Sequence, residues 1–354
     1  FVVQAFSTLR PLTIGQLIDR SLRIYRRNFW TFIGVVAVVQ IPISALRLVA
    51  QLGILQSGST LFDPLADPTQ FQLGPGYFFS LLGLLAAGIL SFIFVQGIAT
   101  AALARTASDN YFGDQLDIID AFEAIGTDWP RVVAAILVLS ILNLILAFLA
   151  IIPCAGWLVG PGLLFFLAAA VTQFVPPVVV LEGKNAIEAI RRAWDLARRR
   201  FWWLLAYVVI LLVFTQIVVQ GPATVVSFGA SFVLEASAPD LDFLMVQTIQ
   251  TIVSYVVQSI ALILALPLQV IAVVMAYFDI RIRTEGFDLT VSAAGPEAEA
   301  DIVAEAPPAE TGQIITWSEV GYFSLITVGV ITIFGGLYLL LIGVILALFA
   351  AVGA

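Results

Sequence analysis

The sequence predicts an all-α integral membrane protein of seven transmembrane helices, the first six forming three two-span repeats, each introduced by an interfacial amphipathic helix. Three observations predict it. Uncharged stretches occupy 29–46, 77–104, 132–181, 201–234, 243–278 and 320–354, and a helix needs roughly 20 apolar residues to cross a hydrocarbon core. Of the 16 Lys and Arg residues, all but Arg47 fall on one side of that array, the asymmetry that marks a cytoplasmic face. Finally, an amphipathic segment runs into an interfacial tryptophan and then a span three times, at Trp30, Trp129 and Trp202.

Taken in order, residues 12–28 read as an amphipathic helix. Ile14, Leu17, Ile18, Leu22 and Tyr25 share one stripe, and Arg20, Arg23 and Arg27 another. Thr13 and Gln16 have the spacing of a capping box, which fixes the start. The first span opens at Phe29 and Trp30 and is interrupted by Pro42; Arg47 near its far end snorkels to the outer surface. Residues 55–75 hold acids but no bases, as expected of an outer loop, and span two covers 77–104. Ile118, Ile119, Phe122 and Ile125 then form an apolar stripe before span three, which starts at Trp129. A tight outer turn at 153–157 leads to span four, which carries Pro161, Pro176 and Pro177. Residues 184–200 form a third amphipathic helix capped by Asn185, with Glu188–Arg192 and Asp195–Arg199 at i,i+4 spacing. Span five follows from Phe201, an outer loop lies at 235–242, and span six ends in AYFDIRIRTEGFDL at 276–289.

The chain therefore divides into an N-terminal segment with its interfacial helix (1–28), a six-helix membrane domain (29–289), an Ala/Pro/Glu-rich cytoplasmic linker expected to be disordered (290–319), and a seventh span (320–354). The N-terminus is expected in the cytoplasm and the C-terminus outside. The chain begins at Phe1 rather than Met, so residues upstream are expected, and its opening lacks the basic-then-apolar pattern of a signal peptide.

Composition narrows the chemistry. The chain is 61% hydrophobic and 11% charged, against about a quarter charged in soluble domains. It has no histidine and a single cysteine, Cys154, which excludes Ser-His-Asp, Cys-His and His-zinc arrangements and any internal disulfide. No phosphate-binding GxxxxGK[ST] loop is present. Neither catalytic, cofactor-binding nor metal-binding residues are expected, and no cofactor. Carboxylates for a membrane enzyme come down to Glu182, Asp195 and Asp279, which are expected instead to pair with Arg191, Arg281 or Arg283. Arg20, Arg23, Arg27, Arg191, Arg192, Arg198, Arg199 and Arg200 are expected to form a basic collar in contact with lipid headgroups. Intramembrane amides are neutral; Gln40, Asn143 and Gln216 are the candidate lining of a polar pathway, against interhelical hydrogen bonding at about 0.6 kcal/mol each. No basic domain lies outside the membrane zone, so nucleic acid is not an expected partner.

LTIGQLIDRSLRIYRRNFW (12–30), VVVLEGKNAIEAIRRAWDLARRRFWWLL (178–205) and AYFDIRIRTEGFDL (276–289) together resemble the membrane-domain family named after glycerophosphoryl diester phosphodiesterases. The resemblance covers about residues 10–290. It implies the fold and a bacterial inner membrane but no reaction, because the soluble catalytic domain of such fusions is lacking. The leading expectation is a non-enzymatic accessory or scaffold protein that packs against other membrane subunits or lipids. The rival is a transporter or permease for a lipid-like or small apolar substrate.

Overall fold

Apolar segments that leave water must satisfy their backbone groups internally, and here they do so as helices. The structure, a computed structural model, describes residues 11–57, 75–112, 117–126, 128–149, 151–153, 155–237, 242–294 and 315–352. Short helix α1 (Ile14–Arg27) precedes α2 (Phe29–Ser57). The return span combines α3 (Pro75–Leu90), a π-helical stretch (Ser91–Ala99) and α4 (Thr100–Phe112). The second unit comprises α5 (Ile118–Glu123), α6 (Trp129–Leu149) and a return span made of α7 (Ala155–Phe166), a second π stretch (Leu167–Val171) and α8 (Thr172–Glu182). The third comprises α9 (Ala186–Arg199), α10 (Phe201–Ser237) and α11 (Phe243–Glu285), after which come α12 (Phe287–Ala294) and α13 (Trp317–Val352). Among the described residues, seven helical runs are long and apolar enough to cross a membrane.

The order short helix, span, span thus occurs three times. Capping boxes start each short helix: Thr13 with Gln16, Asp117 with Asp120, and Asn185 with Glu188. Their reciprocal bonds satisfy helix-end donors without any tertiary contact. α2 continues through Pro42 to Ser57, past the stretch expected for the first span. At 1.5 Å per residue Arg47 lies about 27 Å along the axis from Phe29, close to one hydrocarbon thickness of about 30 Å.

α11 is the hub, packing against α1, α2, α4, α8, α9 and α10. At its Arg-rich end Tyr277, Phe278 and Ile280 are fully buried. α13 packs on α7 and adds Phe323 and Ile326 to the core; Gly162 permits the close approach, since a Cβ there would meet the Phe323 carbonyl oxygen at 2.0 Å. The Gly162 N–H donates to Thr327 Oγ1 at 2.8 Å. Where the π stretches release backbone acceptors, threonines fill in. Thr100 donates to the carbonyls of Gln96 and Gly97, and Thr172 to that of Leu167.

The expected linker differs at both ends. Residues 290–294 belong to α12, and 317–319 form the first turn of α13; 295–314 lie outside the described residues. The loop expected at 55–75 is likewise outside them from 58 to 74, and the one expected at 235–242 from 238 to 241. α10 extends over 235–237.

Candidate functional site

Tryptophans mark one level of the bundle. Trp30, Trp129, Trp202 and Trp317 stand at the first or second residue of α2, α6, α10 and α13, and all four are exposed. Indole rings favour the boundary between headgroups and acyl chains. The charged side chains of the Arg-rich end gather at this level in two differently built places.

The first is a buried cluster between α8, α9 and α11. Arg192 is only 1% exposed. Its Nε lies 3.1 Å from Glu182 Oε2, and its Nη2 donates to Glu285 Oε2 at 2.7 Å. Nη1 is 2.6 Å from Glu285 Oε1, near enough for charge attraction but out of line for a hydrogen bond. Tyr277 donates its hydroxyl proton to Glu182 Oε1 at 2.7 Å and accepts from Arg281 Nη1 at 3.0 Å. Arg281 Nε donates to Glu285 Oε2 at 3.2 Å, and Arg199 Nη1 stands 3.4 Å from Glu285 Oε1. Burial would push the Arg192 guanidinium down, but the hydrogen bond to Glu285 and the charges of Glu182 and Glu285 outweigh it and hold it above its ordinary value.

Local geometry explains why these acids need arginines. Glu182 and Glu285 each end a helix, followed by a glycine in the left-handed region, Gly183 (φ 63°) and Gly286 (φ 65°). A carboxylate at a helix C-terminus meets the negative end of the dipole, so burial there demands a cation.

Arg192 is therefore a correction to the expected headgroup collar: its side chain turns into the protein, and Arg191 beside it is the exposed one. Arg198 and Arg199 are drawn inward as well; Arg198 Nε donates to Glu319 Oε1 of α13 at 2.8 Å. The Arg200 guanidinium lies over the Trp203 ring, 5.3 Å from its centroid. The acids named in the sequence are placed too. Glu182 pairs with Arg192 rather than Arg191, and also with Arg281 at 4.0 Å, as expected; Asp279 pairs with Arg283 at 2.8 Å. Asp279 also accepts the Leu12 N–H at 2.8 Å while Arg283 donates to the Leu12 carbonyl at 2.7 Å, which pins the start of α1 to α11. Asp195 is buried on α9.

The second place is a cavity of about 590 Å³ between α1 and the end of α4. Arg20, Arg23, Arg27, Asn28, Asn110 and Tyr111 line it, with Asp19, Gln16, Leu12 and Ile24. Asn28 donates its side-chain amide to Asn110 Oδ1, and Asn110 donates to the Thr106 carbonyl at 2.9 Å. Arg20 covers the Tyr111 ring, 4.3 Å from its centroid. Its size falls in the range of about 300–1,000 Å³ usual for small-molecule sites.

The three amides expected to line a pathway are not brought together. Gln40 is buried on α2 and donates to Ser44 at 2.9 Å. Asn143 on α6 donates to its own helix at Leu139, and Gln216 on α10 is exposed. A cavity of about 40 Å³ beside the π stretches is lined instead by Gln96, Thr100, Thr172 and Gln173. Elsewhere amides and hydroxyls join helices: Gln250 donates to Ser231, and Ser227 meets Ser254, between α10 and α11.

Comparison with known families adds one finding. A family model described as a domain of unknown function (DUF7847) matches residues 12–280. The chain belongs to the DUF7847 family. The matched DUF7847 region starts at the Leu12 anchor and ends inside the Asp279–Arg283 segment, so it contains Glu182, Arg192 and the whole cavity lining but not Glu285 or α13. The resemblance to the phosphodiesterase-linked membrane family rests on the sequence stretches alone. Neither a curated protein nor a solved structure is significantly similar to this DUF7847 chain.

The residues that sequence reasoning missed are Glu285, Tyr277, Asn110, Tyr111 and Asn28. One signal was present for the first: Glu182-Gly183 and Glu285-Gly286 are both acid–glycine helix ends.

Proposed function

We propose that this protein is a non-enzymatic integral membrane scaffold that packs against another membrane subunit through α13, with its Arg-rich end at the cytoplasmic face of a bacterial inner membrane. The observation that carries this reading is the half-docked seventh helix. Its first turns are held by Glu319 on Arg198, by Phe323 against Phe166 and Phe201, and by Thr327 on Gly162. From Ile331 to Gly343 every described residue but Ile342 is exposed. A helix apolar all round is covered by protein or by lipid, and along this half nearly the whole described surface is left for one or the other.

The buried ionisable groups support the same reading. Glu182, Glu285, Arg192 and Arg281 neutralise one another, and Asp279 is held by Arg283. A general acid or base has to be able to exchange its proton with a bound substrate, and these groups are committed to ion pairs. The transporter reading has less support, since Gln40, Asn143 and Gln216 lie apart on α2, α6 and α10.

The test is crosslinking in native membranes with a photoreactive residue at Leu339, on the exposed half of α13, and at buried Phe174 as control. The expected result is a discrete protein adduct at Leu339 only, and a particle larger than the monomer in mild detergent. A strictly monomeric particle with lipid adducts alone would overturn the proposal.

A further inference from the structure

The register that places Thr13 on Asn185 and Gln16 on Glu188, the two capping boxes, also places Arg20 on Arg192 and Phe29-Trp30 on Phe201-Trp202. α1 and α9 are thus counterparts, and their central arginines occupy the same helical position. The surroundings differ in one chemical respect. Arg192 meets the carboxylates of Glu182 and Glu285. Arg20 meets the face of Tyr111 and the 590 Å³ cavity, whose wall on α4 is the neutral Asn110 and Tyr111. Among the described residues neither Arg20 nor Arg23 has a carboxylate within ion-pairing distance, although Asp19 also lines the cavity.

We infer that the cavity binds a phosphate-bearing anion, namely the headgroup of an anionic phospholipid, which supplies to α1 the negative charge that Glu182 and Glu285 supply to α9. Depth favours the lipid source. Asn28 lies two residues before Trp30, which is 79% exposed at the level of the other span-opening tryptophans. That is where lipid phosphates reside. Guanidinium groups bind phosphate oxygens in pairs of parallel hydrogen bonds, and the Asn28 and Asn110 amides add neutral polar groups able to contact a glycerol moiety. Arg20 is held over Tyr111 and so is oriented before the ligand arrives, which lowers the ordering cost of binding. This inference refines the lipid side of the scaffold reading without depending on a protein partner: a monomeric particle would sink the latter and leave lipid retention untouched.

Native mass spectrometry of the purified full chain, equilibrated in micelles with phosphatidylglycerol or phosphatidylcholine, tests it. Wild type should retain one phosphatidylglycerol in preference to phosphatidylcholine. Each cation near an anionic lipid contributes about 1 kcal/mol, about fivefold in affinity, so Arg20→Gln/Arg23→Gln should weaken retention about 25-fold, while Arg131→Gln, equal in charge per site but paired with Asp128, should not. Asn110→Asp places the missing carboxylate in the cavity and should abolish the preference, at some cost in melting temperature because the donor to the Thr106 carbonyl is lost; Arg23→Gln alone, at an exposed residue, should weaken retention about fivefold and keeps the test valid if the other variants misfold. Equal retention of both lipids, or an Arg131→Gln effect as large as that of the double variant, overturns the inference. So does displacement of phosphatidylglycerol by millimolar glycerol phosphate, which would assign the cavity to a soluble phosphate.

Discussion

α1 and α9 are each fourteen residues long, each begin at a capping box, and each run through consecutive arginines into a Phe-Trp pair that opens a span. Yet α9 is folded into the core, with Ala189, Ala193, Leu196 and Ala197 fully buried and its polar face neutralised by Glu182 and Glu285. α1 keeps Arg23 and Arg26 exposed and borders an open cavity. The contrast shows that an amphipathic arginine helix does not specify its own environment. The acids contributed by other segments do: two glutamates at helix ends turn one copy into a structural joint, and the neutral residues at the end of α4 leave the other available to solvent and lipid.

Breaking the joint should give the largest effect. Arg192→Gln leaves two buried carboxylates with reduced compensation; loss of one partner of a buried pair costs about 3–5 kcal/mol, and the lower end applies because Arg281 and Arg199 remain. The matching Arg20→Gln removes a half-buried charge and a contact with an aromatic face, about 0.5–1 kcal/mol. Thermal unfolding in detergent should therefore separate the two variants clearly. Equal losses would show that the α9 cluster does not hold the fold.

Much of this architecture was legible because it is local. The seven apolar runs, the Thr13–Gln16 and Asn185 caps and the tryptophans before each two-span unit depend on residues a few positions apart. Which of Arg191 and Arg192 turns inward was not legible. That choice follows where Glu182 and Glu285 stand, the latter almost a hundred residues away in sequence, and both arginines look alike in a one-dimensional pattern. The same limit hid the cavity, since Asn28 meets Asn110 only through the pairing of α1 with α4. In sequence the motif at 276–289 marks the end of span six; its two faces are defined only by the fold. Asp279 and Arg283 grip α1, while Tyr277 and Arg281 bind Glu182 at the end of α8 and Glu285 binds Arg192 of α9.

Asp279→Asn replaces a charge-assisted bond to the Leu12 N–H and removes the pair with Arg283. Hydrogen bonds to charged groups contribute about 1.5–3 kcal/mol, and the cost should fall near 2 kcal/mol because the asparagine oxygen still accepts. The loss should be confined to one helix: hydrogen exchange should quicken over 12–27 and stay unchanged over 186–199. Parallel quickening of both would mean that the end of α11 acts as one unit and that the two grips are not separable.

The smallest effect concerns the feature the helices share. Thr13 accepts the Gln16 N–H and Gln16 accepts the Thr13 N–H at 3.0 Å, while Glu188 accepts the Asn185 N–H at 3.4 Å. Replacing a capping Thr or Asn by Ala costs about 1 kcal/mol. In α1 the first turn is also tied to α11 through Leu12, so a lost cap leaves the chain direction fixed, and only the first-turn amides should exchange faster after Thr13→Ala. In α9 the cap follows Gly183 in a left-handed conformation, and Glu188 is exposed with no tertiary bond among the described residues. Asn185→Ala should therefore cost a similar global amount but loosen the turn at 183–186 more widely. If the alanine variants instead differed several-fold in global stability, the larger loss would identify the helix whose start organises its unit, and the view of two equivalent helices separated only by their acidic partners would fail.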